Sequence, residues 1–246
     1  MAEPLVSVLV PTLERAASLA ACLDSIAATV DAPHEVVCIS VGGDTPTQRL
    51  LRDRPVRNIV EDTRGGFVAA MNLGLRAARG IYVAHLNDDC RLLPHAIDNA
   101  VRFLEVPAHA GVGQAAFFHD TPVRRNVHTQ IDVEDTRYVV AQVRGLCYAN
   151  FGLARRDLYE RLGYYDERYF MYGADPDFSL KVWHEAGLAV APCPGSLVHH
   201  AQLEDERAGR ERGQQADDNR KLFAKWGLDA GASESRSAPA SRAPAC

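Results

Sequence analysis

Three short stretches carry residue types that could do chemistry together. The first is Leu86-Asn87-Asp88-Asp89-Cys90, placed directly after the apolar run 81–86. Carboxylates at the carboxyl end of a buried parallel strand offer hard oxygens suited to Mg²⁺ or Mn²⁺ bridging a diphosphate. An acidic pair there also suits a turn or the cap of a helix beginning near Pro94. The second stretch is Tyr172-Gly-Ala-Asp175-Pro-Asp177. With Pro176 at the first helical position, Asp175 reads as the N-cap of a helix running to Ala186, and a carboxylate held there can also act as a base. Asp177 is the better placed of the two to stabilise the first turn. The third is Leu197-Val198-His199-His200. Alternation on a strand sends the two imidazoles to opposite faces, so one of them at most enters a common site, as a metal ligand or as a polar edge residue.

These residues need elements to bring them together. The run 5–10 reads as a strand, and Leu19, Cys22, Leu23, Ile26 and Ala27 follow at helical spacing. A strand over 35–39, a helix or turn after Pro46, a strand over 56–60, a helix carrying Phe67, Met71, Leu75 and Ala78, and the strand 81–86 continue the alternation. Repeated βα units of this length predict an α/β fold with a mostly parallel central sheet flanked by helices, and ligands at the carboxyl ends of the strands. After Asp89 the rhythm becomes mixed: a helix over 94–104, a strand over 111–118, a polar β-rich stretch over 124–143, and helices over 155–162 and 175–186. Residues 1–228 read as a single domain, and 229–246, rich in Ala, Ser, Arg and Pro without periodicity, as a disordered tail.

Composition narrows the class. The 246 residues are 47% hydrophobic and 24% charged with a formal net charge of −5, so nothing global draws the chain to nucleic acid or an anionic membrane. No apolar run approaches the length of a membrane span and the start lacks a basic signal-peptide region, which predicts a cytoplasmic protein. The six cysteines show no C-x-x-C pair, so neither a disulfide framework nor a zinc ribbon is expected, and Cys22 and Cys38 read as small core residues.

The order and context of these blocks resemble the family 2 inverting glycosyltransferases of GT-A fold, particularly their rhamnosyltransferase-like branch. Val6-Ser-Val-Leu-Val-Pro-Thr12 is similar to that family's opening strand. Arg64-Gly-Gly-Phe67 with residues 69–80 is similar to the helix before its metal motif, and Asn87-Asp-Asp89 stands at the D-x-D position. Residues 158–180 resemble the acceptor-side block with the catalytic carboxylate, and Val198-His199 the closing histidine. The resemblance spans roughly residues 5 to 200. It implies a nucleotide-diphosphate sugar donor, an acceptor hydroxyl, and Mn²⁺ or Mg²⁺ held by Asp89 with His199. It further implies Asp175 as general base, a nucleoside pocket lined by Pro11, Thr12, Glu14 and Ser40, and Arg64, Asn72, Asn87 and Asp88 nearer the diphosphate.

Three positions depart from the pattern. Ser40 stands where the family places an Asp that reads the nucleobase, and Asp44 either compensates or caps the following turn. Asn87 replaces an acid. Ala174 replaces the acid before the base, which predicts an Asp175 less raised in pKa. Two other readings stand beside the first. A sugar nucleotidyltransferase would want a Gly-rich, basic loop after the first strand, and Val10-Pro-Thr-Leu-Glu14 lacks one. A nucleotide-sugar or glycan-binding relic of the same fold would accommodate the three departures.

Overall fold

The computed structural model describes residues 3–122, 126–203 and 205–228. The chain runs β1 (Val6–Pro11), α1 (Ala16–Thr29), β2 (His34–Val41), α2 (Thr45–Arg52), β3 (Arg57–Glu61), α3 (Phe67–Ala77) and β4 (Tyr82–His85). It continues through β5 (Cys90–Leu92), α4 (Ala96–Glu105), β6 (Val112–His119), β7 (Val127–Val133), β8 (Thr136–Val143) and β9 (Leu146–Tyr148). Then follow β10 (Gly152–Arg155), α5 (Arg156–Arg161), α6 (Ala174–His184), β11 (Ala189–His200) and α7 (Glu206–Trp226). The main sheet has the order β3-β2-β1-β4-β10-β6-β11-β5. Strands β3, β2, β1 and β4 are parallel, as the βα rhythm requires. Strand β10 then enters antiparallel between β4 and β6.

Alternation along the strands sorts side chains into two cores. Val6, Val8 and Val10 join Leu19, Ile26 and Ile97 under α1 and α4. Leu9, Val37, Ile39 and Val83 join Met71, Leu75 and Phe178 under α3 and α6. Burying one such side chain contributes about 1.5–3 kcal/mol. A sheet covered on both faces leaves the strand ends as the place where polar side chains converge.

The structure moves several expected boundaries. Asp88 and Asp89 cap no helix: they occupy the turn from β4 into β5, where the Cys90 amide bonds the Asn87 carbonyl, and α4 starts at Ala96 after a left-handed His95. The cap of α6 is Gly173, not Asp175. Gly173 holds φ +77, and its carbonyl takes the Asp177 amide, so Asp175 lies one position inside the helix. The expected tail 229–246 lies outside the described residues. Helix α7 was not anticipated from the sequence. No helix among the described residues is long and apolar enough to cross a membrane.

Candidate active site

A cavity of about 500 Å³ opens at the carboxyl ends of β1, β3 and β4 and is closed by the start of α6, the end of β11 and one face of α7. Of the expected residues, Pro11, Thr12, Arg64, Asn87, Asp88, Asp89 and Asp175 line it. The turn after β4 is stitched to the loop after β1: Asp88 Oδ2 accepts from the Thr12 hydroxyl at 3.0 Å and the Leu13 amide at 3.4 Å. Asp89 Oδ2 accepts from Arg15 Nη1 at 2.9 Å, and Asp89 Oδ1 lies 3.2 Å from His200 Nε2. Burial works against the Asp89 carboxylate, but His200, the Arg15 guanidinium and the Leu203 amide outweigh it and hold its pKa below the usual value.

His200, not His199, joins Asp89. The antiparallel register of β11 against β5 sets His200 opposite Cys90, and the Ala201 amide bonds the Asp89 carbonyl. His199 points the other way, its Nδ1 2.5 Å from Asp120 Oδ2 with 45% of the side chain exposed. Three further expectations are corrected. Ser40 is fully buried in a network with Asn58 and Gln48, and the strand presents Ile39 and Val41 to the cavity instead. Glu14 lies outside the cavity lining and donates its backbone amide to Asp44, which also caps α2 through the Thr47 amide. Asn72 is buried and grips both backbone groups of Tyr165, which makes it a brace for the loop that carries Tyr165.

Asp89, Cys90 and His200 cluster closely enough to share an ion. Burial pushes the Cys90 thiol well above its ordinary pKa, so it stays protonated and is no ligand for a hard cation. Carboxylate oxygen and imidazole nitrogen remain, and Asp88, Asp89 and Asp205 all face the single Arg15 guanidinium. That donor set and its excess of negative charge fit Mn²⁺ or Mg²⁺.

The opposite wall surrounds its carboxylate with neutral groups. Asp175 Oδ1 accepts from the Tyr165 hydroxyl at 3.4 Å and lies 3.8 Å from His85 Nε2. His85 donates that Nε2–H to the Asn150 carbonyl at 3.0 Å, and burial lowers its pKa to about 4, so the imidazole is neutral. Burial raises the Asp175 carboxyl to about 7, against the opposing Tyr165 hydrogen bond. With Ala174 in place of an acid, no neighbouring carboxylate adds to this shift, and desolvation alone raises Asp175. The Asp175 side chain keeps 23% of its surface exposed, enough to meet a ligand. Asp177 is buried among Tyr169, Lys225 and Trp226.

Helix α7 fixes this wall from behind. The buried Asp218 carboxylate accepts the backbone amides of Phe170, Met171 and Tyr172 at 2.9–3.2 Å. Gln215 and Asn219 of the same helix reach the cavity. Elsewhere in the cavity wall, Gly66 at φ +92 packs so closely on Phe170 that a Cβ would sit 2.6 Å from its carbonyl oxygen, and Arg64 lies over the Phe170 ring. Sequence reasoning missed Arg15, His85 and the α7 residues. An arginine closing the loop after β1 and a histidine inside an apolar strand were the available signals.

The model of glycosyl transferase family 2 matches residues 7–163. An uncharacterized glycosyltransferase, YwdF, of Bacillus subtilis is 24% identical over 91% of this chain and 84% of its own. A PGL/p-HBAD biosynthesis glycosyltransferase of Mycobacterium bovis is 30% identical over 76% of this chain and 73% of its own. Among solved structures, the mannosyltransferase PcManGT of Pyrobaculum calidifontis, in complex with GDP-Man and Mn²⁺, superposes with a TM-score of 0.67 at 22% identity over 94% of this chain and 66% of that one. The S. aureus TarS 1–349 fragment with UDP gives 0.62 at 16% identity, over 89% and 72%. The fold is that of the GT-A glycosyltransferases. With a cavity at the strand ends and a family match over most of the β-α half, the chain belongs to glycosyl transferase family 2.

Proposed function

We propose that this chain moves a sugar from a nucleoside-diphosphate sugar to an acceptor hydroxyl in a single displacement that inverts the anomeric centre, with residues 1–228 acting as one catalytic unit. The observation that carries the reading is one cavity lined both by Asp175, raised to about 7, and by the Asp89–His200 pair. Asp175 accepts the acceptor's hydroxyl proton as that oxygen bonds to the anomeric carbon. The bond from that carbon to the diphosphate oxygen breaks, and the nucleoside diphosphate leaves with the electron pair. Asp89 and His200 would hold Mn²⁺ or Mg²⁺, which would supply stabilisation of the negative charge growing on the leaving diphosphate. The Tyr165 hydroxyl positions the Asp175 carboxyl, with the neutral His85 imidazole 3.8 Å away.

Structural relatives bound to GDP-Man and to UDP support a nucleotide-sugar donor. The relatives single out neither a nucleobase nor the rhamnosyltransferase-like branch. The described cysteines, Cys22, Cys38, Cys90, Cys147 and Cys193, are all free and buried, which fits a reducing, cytoplasmic setting. The test is a panel of nucleoside diphosphates and nucleotide sugars with and without Mn²⁺ read by thermal shift, followed by NMR of the anomeric configuration of the transferred sugar. Metal-dependent stabilisation by a donor and an inverted product are expected; a retained configuration overturns the single displacement.

A further inference from the structure

Arg15 closes the loop after β1 and is almost fully buried, its side chain 7% exposed. One edge of its guanidinium bonds Asp89 Oδ2 at 2.9 Å and lies 3.6 Å from Asp88 Oδ1. The other edge forks onto Asp205, with Nε to Oδ2 at 2.7 Å and Nη2 to Oδ1 at 3.0 Å, and Nη2 also donates to the Leu203 carbonyl at 3.0 Å. The strap after β11, residues 201–203 with Asp205, is thus tied to the Asp89 carboxylate twice, through Arg15 and through the Leu203 amide, which reaches Asp89 Oδ2 at 3.4 Å. Gln202 and Leu203 of that strap form part of the cavity wall.

We propose that Arg15 is a clasp: it stands in for a divalent cation at Asp89 and pins the strap residues 201–203 and Asp205 there, so that metal entry and strap release are one event. The proposal rests on the metal reading above. A hard cation takes a carboxylate oxygen at about 2.0–2.6 Å, and a guanidinium bonded to the same oxygen repels it while competing for the lone pairs. The two cations exclude each other at Asp89 Oδ2. The fork to Asp205 is stronger in geometry than the single bond to Asp89, so Arg15 withdraws with the strap and keeps its partner there. Its Nη1 edge is then left facing a cavity that would hold a diphosphate. By linkage, whatever loosens the clasp tightens metal binding, and metal loosens the strap by the same factor.

Mn²⁺ alone is titrated by calorimetry into the parent and into Arg15→Gln, and amide exchange is followed at Ala201 and Leu203 with and without Mn²⁺. Arg15→Gln is expected to bind Mn²⁺ roughly tenfold more tightly, since one competing charge at contact distance is gone. In the parent, Mn²⁺ is expected to speed exchange at Leu203. Equal or weaker Mn²⁺ binding by Arg15→Gln overturns the clasp while leaving the metal reading in place. Binding by neither protein overturns both. Should Arg15→Gln fail to fold, Asp205→Asn carries the test from a partly exposed position. It should expose Leu203 to exchange without metal, and full protection in that variant also overturns the clasp.

Discussion

Two carboxylates line one cavity and are driven in opposite directions. Asp89 sits among an arginine, a histidine and a backbone amide, and these outweigh burial to keep its pKa low. Asp175 faces a neutral imidazole and a tyrosine hydroxyl, and burial carries it to about 7. The difference lies in the surroundings, not in the residue type: a carboxylate with a guanidinium beside it is kept an anion suited to holding a cation, while one governed by burial can take up and release a proton near neutral pH.

The contrast is broken most severely at Asp175, the proposed base. Asp175→Asn should lose roughly 10²–10⁴ in turnover while keeping donor affinity, measured by initial rates and by calorimetry. Because the native pKa is raised above the unfolded 3.8, ionisation costs the folded state stability as pH climbs from about 4 to about 7, and the full cost persists above that. Asp175→Asn should therefore melt at or above the parental temperature at pH 8, with the advantage gone below pH 4. A lower melting point at pH 8 would mean the carboxylate is a structural anion. Asp177→Asn should show the reverse pattern, near-parental turnover with reduced stability, since its buried oxygens hold Lys225 and Trp226.

On the other side of the comparison, Asp89→Ala should weaken the Mn²⁺-dependent part of nucleoside-diphosphate binding by at least the roughly 10–100-fold that even an outer metal partner costs. Undiminished binding in Mn²⁺ would move the metal elsewhere. His200→Ala should fall in the same direction and His199→Ala should not, a pairing that separates the two faces of β11.

A gentler probe is pH itself. The rate constant kcat/KM should rise about tenfold per pH unit below 7 and level off above it, as the free-enzyme base ionises. Tyr165→Phe removes a hydrogen bond that favours the charged form, so the midpoint should move to higher pH, by about half a unit or less for a bond as long as 3.4 Å. The smallest effect is expected at Ser40. Ser40→Ala should cost about 1 kcal/mol of stability, read from denaturant unfolding, and leave the preference among nucleoside diphosphates unchanged.

What the sequence made legible follows from where periodic burial operates. Strands β1 to β4 and helix α1 carry apolar side chains at regular spacing because both sheet faces are covered, and the Asp88-Asp89 turn was readable after β4 and Asp175 at the start of α6. Which histidine faces the cavity was not, since it depends on the His200–Cys90 register between strands over a hundred residues apart. Ser40 and Asn72 carried family positions, yet their hydrogen bonds to Asn58, Gln48 and Tyr165 are tertiary facts. Strand β10 was missed because four residues inserted antiparallel leave no rhythm. Helix α7 was missed because its inward face relies on Asp218 as well as Leu222 and Trp226, a mixed stripe that apolar periodicity does not register.

The Asp218 carboxylate has a consequence for how this chain can be cut and joined. It spans three consecutive amides of the 170–172 loop, while Lys225 and Trp226 close on Asp177, so the wall bearing Asp175 and the helix behind it form one transplantable cassette. A chimera that exchanges this loop with a relative should carry α7 along with it. Grafting the loop alone would leave three half-buried amides facing a foreign helix, and the Asp175 wall would arrive without its frame.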